Sequence, residues 1–503
     1  MMEYTIQENR IRNKVLYHKI MTAQEASLLV KDGMVVGISG FTASGYPKAV
    51  PSALAERVRK GNEGLKISLY SGASTGPEID EEWTEARIIQ KRLPYQTANM
   101  LRNSINCGDV EYLDMHLSQC AQYVSNSMLR PLDIAIVEAL AITEEGNIVP
   151  TLGIGNTPGF VQSANKVIVE VNISKPLAFE GMADIYSPGN PPDREPIPLT
   201  HPGQRIGTSY IPCGMDKIAA VVISEMQDKT REFSGTNEIS RKISEHILSF
   251  LRKEVNAGRL SPNLLPIQSG VGSVANAVLS GFINSEFEKL TCYTEVIQDS
   301  MLELLRSGKA IVASATAVSP SPGKLSEFER EIDFYKDRII VRPQDISNNP
   351  EIIRRLGVIS MNTALEVDIY GNVNSSHVTG SKIMNGIGGS GDFARNAFLS
   401  IFSTESIALK GDVSSIVPMV SHVDHTEHDV MVIVTEQGYA DLRGLSPKER
   451  ALKIINNCAH PEYRPMLMDY FTRACGQSAK HTPHILEEAL SWHTRFIKTG
   501  SMR

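Results

Sequence analysis

Short apolar runs alternate along the chain with amphipathic runs whose apolar residues recur every three or four positions, the pattern of buried strands interleaved with helices. EASLLVKDGMVVGISG (25–40) shows the unit: an amphipathic segment predicts a helix, Gly33 its stop, and the β-rich run that follows a buried strand. MLELLRSGKAIVASAT (301–316) repeats the series with Gly308 at the joint. IAIVEALAITEEGNIVP (134–150) and ISMNTALEVDIYGNVNS (359–375) match at the residue level. Ala139-Leu140 stands over Ala364-Leu365 and Gly146-Asn147 over Gly371-Asn372, at an offset of 225 residues. In both, Gly-Asn between β-rich runs predicts two strands joined by a tight turn that needs a positive φ. KVIVEVN (166–172) and VMVIVTEQG (430–438) extend the correspondence.

This internal similarity predicts two related α/β domains, 1–230 and 231–503, with a ligand cleft between them. The first pair of runs is 275 residues apart rather than 225, so loops have been resized or the correspondence is partial. The boundary falls at the polar stretch QDKTREFSGTNE (227–238), just before the amphipathic run ISRKISEHILSFLRKEV.

Composition narrows the function classes. A length of 503 residues accommodates two or three domains, and 42% hydrophobic with 21% charged residues is ordinary for a globular enzyme. A formal charge of −7 gives no general attraction to nucleic acid or anionic lipid, so neither is an expected partner; an anionic ligand must be held locally, by backbone amides and a few Lys or Arg. Cys107, Cys120, Cys213, Cys292, Cys458 and Cys475 lack CxxC spacing and predict reduced thiols and a cytoplasmic setting. The polar N-terminus and the absence of any 18-residue apolar run predict neither signal peptide nor membrane span. A homodimer is the default assembly.

Glycine loops supply the candidate chemistry. LLPIQSGVGSVANAV (264–278) predicts a turn at Gly270-Val271-Gly272 and a helix from about Ser273, whose free N–H groups suit a phosphate. GVGSVA also satisfies the dinucleotide fingerprint, and Glu295 lies 25 residues beyond Gly270, close to the spacing of a ribose-binding acid, so an oxidoreductase is one alternative. A tight turn with no ligand is the other. NGIGGSGDFARNAF (385–398) crowds Gly386, Gly388, Gly389 and Gly391 into six residues ahead of Asp392, a candidate helix start, and suits close backbone contact or a flexible hairpin tip. GFTASGYPKAVPSAL (40–54) and SGASTGPEID (71–80) follow strand-like runs and are candidate walls for an acyl group.

SHVDHTEHDV (421–430) sets His422, His425 and His428 three apart among Asp424, Glu427 and Asp429. A metal-dependent hydrolase would use such groups, but HExxH is absent and a polar loop feeding the next strand is the preferred reading; no metal site is expected. Glu295, in CYTEVIQDSM (292–301), falls where strand character gives way to helix character. It suits a helix-end charge, a ribose clamp or a nucleophile.

QSGVGSVANAV, YTEVIQDSM, ISNNPEIIRRLG, ALEVDIYGNVNSSHV, MNGIGGSGDFARN, VTEQGYADLRGLSP and LSWHTRFIKTGSM together resemble the acetyl-CoA hydrolase/transferase family of class I CoA-transferases, over a span from about Arg10 to the last residues. FTASGYPKAVPSAL, GMADIYSPGNPPDREPIP and VSHVDHTEHDVMVIVTEQG are most similar to its succinyl-CoA branch. The resemblance implies two similar open α/β CoA-transferase domains with the active site in the cleft between them. It implies transfer of CoA between succinyl-CoA and a small carboxylate such as acetate, with acyl-CoA hydrolysis at the same site as the alternative. CoA thioesters and small carboxylates would be the partners, CoA being substrate rather than cofactor.

By residue, the resemblance makes Glu295 the nucleophile that forms a glutamyl-CoA thioester, and the Asn348 amide with the Gly389 N–H the oxyanion hole. Gly270, Val271, Gly272, Ser273, Val274, Leu365, Gly386 and Gly388 would contact CoA, and Lys410 a CoA phosphate. Glu436 and Arg231 would border the substrate pocket. Lys410 departs from the pattern, because Leu409 occupies the column where relatives carry lysine. A glutamate of ordinary pKa, about 4.3, is ionised at neutral pH and needs no base to attack; at a helix start the helix dipole would help to keep it so.

Overall fold

The computed structural model describes residues 9–61, 64–230 and 235–503. Contacts gather the chain into two compact units. One comprises Met1–Glu232, Tyr293–Asp299 and Val312–Ile352; the other Phe233–Cys292, Ser300–Ile311 and Ile353–Arg503. Glu295 and Asn348 therefore fall in the unit built mainly from the first half of the chain.

That unit contains a sheet formed by β1 (Val35–Ile38), β2 (Ile67–Tyr70), β3 (Ile89–Leu93), β4 (Glu111–Tyr112), β5 (Ile134–Ile142), β6 (Ile148–Pro150), β7 (Lys166–Asn172) and β8 (Ile218–Ser224). The order is β4-β3-β2-β1-β5-β7-β8, all parallel, with β6 antiparallel to β5. β5 is buried along its whole length and β7 beyond its first residue, as expected of parallel strands covered on both faces. Val36, Ile38, Ile67, Leu69, Ile136 and Ile168 pack with Val50, Leu54 and Val58 of the helix Ala49–Gly61. The buried Glu170 carboxylate on β7 accepts the N–H groups of Lys48, Ala49 and Val50, satisfying orphan donors at the start of that helix.

A second sheet consists of β9 (Ile267–Ser269), β10 (Leu290–Tyr293), β11 (Ala310–Ala315), β12 (Ile339–Val341), β13 (Ile359–Thr363), β14 (Leu399–Ser403), β15 (Val432–Thr435) and β16 (Gly438–Asp441). Its order is β12-β11-β10-β9-β13-β14-β15-β16, with β16 antiparallel at the edge. The first seven positions reproduce the winding of the first sheet: one strand starts centrally, three follow to one side, and three more to the other. The repeated domain architecture is thus present in the strand order itself.

Strand order also corrects two of the sequence correspondences. Gly308, at φ +76, follows its helix and precedes β11 as expected; Gly33, at φ +77, precedes β1, but the helix before it spans only Ala23–Ser27 and ends short of it. Yet the positional equivalent of β1 is β9, while β11 matches β3. Likewise KVIVEVN (β7) is matched by β14 and not by VMVIVTEQG (β15). The pair 134–150 and 359–375 does match, β5 on β13, with Gly146 and Gly371 at positive φ in the two turns. In the second copy, however, the first strand breaks at Ala364-Leu365, and Glu366–Asp368 pairs separately with Val373–Asn374. Fully buried strands carry no periodicity to tell one from another, so residue similarity slipped between neighbours wherever no turn anchored it.

Candidate active site

Glu295 stands two residues beyond β10, where the chain passes through Thr294 into the short strand Val296–Ile297. Its carbonyl accepts the N–H groups of Thr316 (2.9 Å) and Ala317 (3.1 Å), and Thr294 N–H donates to Ser314 O (2.9 Å). Val296–Ile297 then pairs in parallel with Ala317–Val318. These bonds fix the backbone on both sides of the carboxyl group. The helix expected near Glu295 begins instead at Asp299, because the paired residues Val296 and Ile297 intervene. A helix dipole acts only within about its first turn, so it does not hold this carboxylate ionised.

Asn348 follows the helical turn Gln344–Ser347. Gln344 N–H donates to Gly155 O (2.9 Å), Gln344 Nε2 to Leu117 O (3.0 Å), and the buried Tyr293 hydroxyl to Ile346 O (2.5 Å). On this pinned turn the fully buried Asn348 directs its side-chain amide at Glu295 Oε1, 2.9 Å away. Two residues 53 positions apart in sequence, assigned linked roles by resemblance, are hydrogen-bonded neighbours.

Glu295 is half-buried. Burial raises its pKa to about 7, against an opposing pull from the Asn348 hydrogen bond. The expectation of an ordinary carboxylate is corrected accordingly: desolvation penalises the anion, and near neutral pH the group is shared between its two forms.

Gly270 follows β9, and the chain enters the helix Ser273–Ile283 through Gly272 at φ +111. No side chain caps that N-terminus, Val271 is exposed, and a Cβ on Gly272 would meet nothing within 4 Å. Leu365, 39% exposed, follows β13, the neighbour of β9. The Gly270–Val274 turn and Leu365 therefore flank the point where the second sheet reverses its winding, at the carboxyl ends of parallel strands, where open α/β sheets bind ligands.

Glu436 follows β15 and is also at a carboxyl end. Burial favours its neutral form, but the Ser406 hydroxyl and N–H, with Gln437 Nε2, outweigh this and keep its pKa below the ordinary value. Gly386 (φ +143) and Gly388 (φ +60) lead to Gly389, the residue before the helix Ser390–Asn396; Asp392 is a buried residue inside that helix and not its start. Lys410 is exposed and left-handed, at φ +57, next to the exposed Leu409. Arg231 lies outside the described residues.

In the front loops, glycines lie against neighbouring backbone. A Cβ on Gly153 would lie 1.9 Å from Ser44 O, and one on Gly72 2.4 Å from Gly40 O. These glycines let loops pack directly on one another, so their small size is used within the protein. In the histidine-rich segment, which is a loop before β15, the three histidines separate: His428 is exposed, His425 is buried on Phe402, and His422 stacks on His377 with ring centroids 3.8 Å apart. His377, His422 and Asp424 converge, and the Ser376 hydroxyl lies 2.7 and 2.8 Å from the two Asp424 oxygens. Tyr293 and Thr316, which hold site residues in place, lie inside CYTEVIQDSM and MLELLRSGKAIVASAT but were not singled out there, and Ser406, which holds Glu436, belongs to no motif.

Comparison with known proteins adds the following. Residues 5–225 match the acetyl-CoA hydrolase/transferase N-terminal domain and residues 326–471 the corresponding C-terminal domain. The chain is 62% identical to the succinyl-CoA:acetate CoA-transferase of Clostridium kluyveri, over 99% of its own length and 93% of the relative's. It is 44% identical to the acetyl-CoA hydrolase of Candida glabrata, over 99% and 97%. The crystal structure of RipA from Yersinia pestis shares the fold, with a TM-score of 0.70 at 24% identity, covering 92% of this chain and 98% of that one.

Proposed function

The chain belongs to the acetyl-CoA hydrolase/transferase family, and from that premise we propose that it is a CoA-transferase moving CoA between succinyl-CoA and a small carboxylate such as acetate, through a glutamyl-CoA thioester on Glu295. The supporting observation is the Glu295–Asn348 pair: a desolvated carboxyl at a strand end, held at one oxygen by a buried amide.

In its ionised form Glu295 adds to the acyl-CoA carbonyl. The C–S bond breaks, leaving an acyl-glutamyl anhydride and CoA thiolate. The thiolate adds to the glutamyl carbonyl, whose oxygen becomes an oxyanion. If that oxygen is Oε1, the Asn348 amide already rests on it. Expulsion of the first carboxylate leaves CoA on Glu295, and a second carboxylate reverses the steps and departs as the new acyl-CoA. By this reading the Gly389 N–H is the second oxyanion donor, the Gly270–Val274 turn and Leu365 contact CoA, and Glu436 borders the acyl pocket. Electron count is unchanged throughout, so the cycle is written with no diffusible cofactor and no metal, and it is ping-pong. A homodimer acting in the cytoplasm completes the proposal; among the described residues no helix is long and apolar enough to cross a membrane.

Likeness to an acetyl-CoA hydrolase favours a second reading, in which water discharges the thioester. Thioester loss from succinyl-CoA, measured with and without acetate, propionate or butyrate, decides between them. A transferase shows acceptor-dependent loss and a new acyl-CoA; equal rates without acceptor would make the protein a hydrolase.

A further inference from the structure

The cycle above makes no use of the histidine-rich loop, yet one of its rings is joined to the segment that carries Gly389. Gly386 and Gly388 both occupy positive φ, and a glycine backbone offers little resistance of its own to rotation of a peptide plane. An oxyanion donor must be aimed before charge develops, so a donor built on such a loop needs restraint from outside it. Ser390, the residue after Gly389, supplies one tie: its hydroxyl donates to Ile387 O at 2.7 Å, bridging the intervening glycines.

A hydroxyl has one proton. With that proton on Ile387, Ser390 Oγ faces His425 Nε2 at 3.1 Å as an acceptor, which places a proton on Nε2 of the imidazole. The ring itself is well fixed. It is 2% exposed, lies on Phe402 of β14 with centroids 4.7 Å apart, and has Ser375 Oγ at 3.4 Å from the same nitrogen. His425 N–H donates to Val373 O (3.0 Å), and Val373 N–H returns a bond to His425 O (2.8 Å). A central strand, an imidazole, a hydroxyl and a carbonyl thus connect in series to the glycine peptides.

We propose that His425 is a positioning residue: acting through Ser390 Oγ, its Nε2–H holds the Ile387–Gly389 backbone so that the Gly389 N–H is aimed before acyl-CoA arrives. This role rests on Gly389 being an oxyanion donor in the proposed transferase. The test combines steady-state kinetics with single-turnover formation of the CoA adduct on Glu295, using succinyl-CoA and the variants Ser390→Ala, His425→Phe, His425→Gln and the double variant Ser390→Ala/His425→Phe.

Ser390→Ala and His425→Phe should each slow adduct formation and kcat by about 10- to 100-fold, with KM for succinyl-CoA changed by less than about threefold. His425→Gln, which can place an amide N–H near the lost Nε2, should recover part of the rate. The double variant should be no slower than the worse single one, because both act on one chain of contacts. Wild-type rates in Ser390→Ala, a rise in KM at unchanged kcat, or losses that multiply would overturn the role. Thermal melts identify any unfolded variant, and Ser390→Ala alone decides the matter if His425→Phe does not fold. Failure of the wild-type protein to form an adduct would instead overturn the glutamyl-thioester reading.

Discussion

Glu295 is subject to two opposed requirements. Desolvation makes its carboxylate a stronger nucleophile and also makes the anion harder to form. With a folded-state pKa of about 7, kcat/KM should fall about tenfold per pH unit as pH drops below that value and level off above it. Asn348→Ala removes a hydrogen bond that favours the anion, so the acid limb should move to higher pH, while kcat drops by about 100- to 1000-fold through loss of an oxyanion donor. Stability should respond with the opposite sense. The pKa is raised from 4.5 in the unfolded chain, so the group's contribution to stability is full below about pH 4.5 and is lost as pH rises through about 7. Glu295→Gln escapes that loss; it should be more stable than the parent at pH 8, by on the order of 3 kcal/mol, and indistinguishable from it near pH 4.5. Melting temperatures of the two proteins across that range provide the check. None of this was legible in CYTEVIQDSM. Spacing left three roles open for Glu295, resemblance selected one, and the raised pKa depends on packing by residues distant in sequence.

Elements were more legible than their order. Gly146, Gly308 and Gly371 marked two turns and a helix stop correctly, because each occupies a positive φ that its sequence context announces, whereas Gly33, also at positive φ, lies beyond a helix that already ends at Ser27. The order of β7, β14 and β15 was not readable, since neighbouring apolar strands look alike. Glycine content alone also failed to separate loops that pack on protein from loops that face open space. Substitution should separate them. Gly153→Ala drives a Cβ into the Ser44 carbonyl and should cost about 2–3 kcal/mol, seen as a melting temperature several degrees lower. Gly272→Ala meets no atom but occupies φ +111. The strain should displace the first amides of the Ser273–Ile283 helix and raise KM for acyl-CoA by about 3- to 10-fold, measured from initial rates.

At the scale of the whole chain, two sheets wound in the same order make a repeated architecture, and the sequence disclosed this through one well-anchored hairpin pair. Glu295 follows β10 of the second sheet, while contacts group Tyr293–Asp299 with Met1–Glu232. Acceptor-dependent thioester exchange and ping-pong kinetics are expected of the intact protein. The glutamyl-CoA thioester itself is read by intact-mass and peptide mass analysis after incubation with succinyl-CoA and no acceptor. A gain of one CoA less one water, located on Glu295, absent from Glu295→Gln and discharged by acetate, is the expected result. No adduct, or an adduct on another residue that survives in Glu295→Gln, would contradict it.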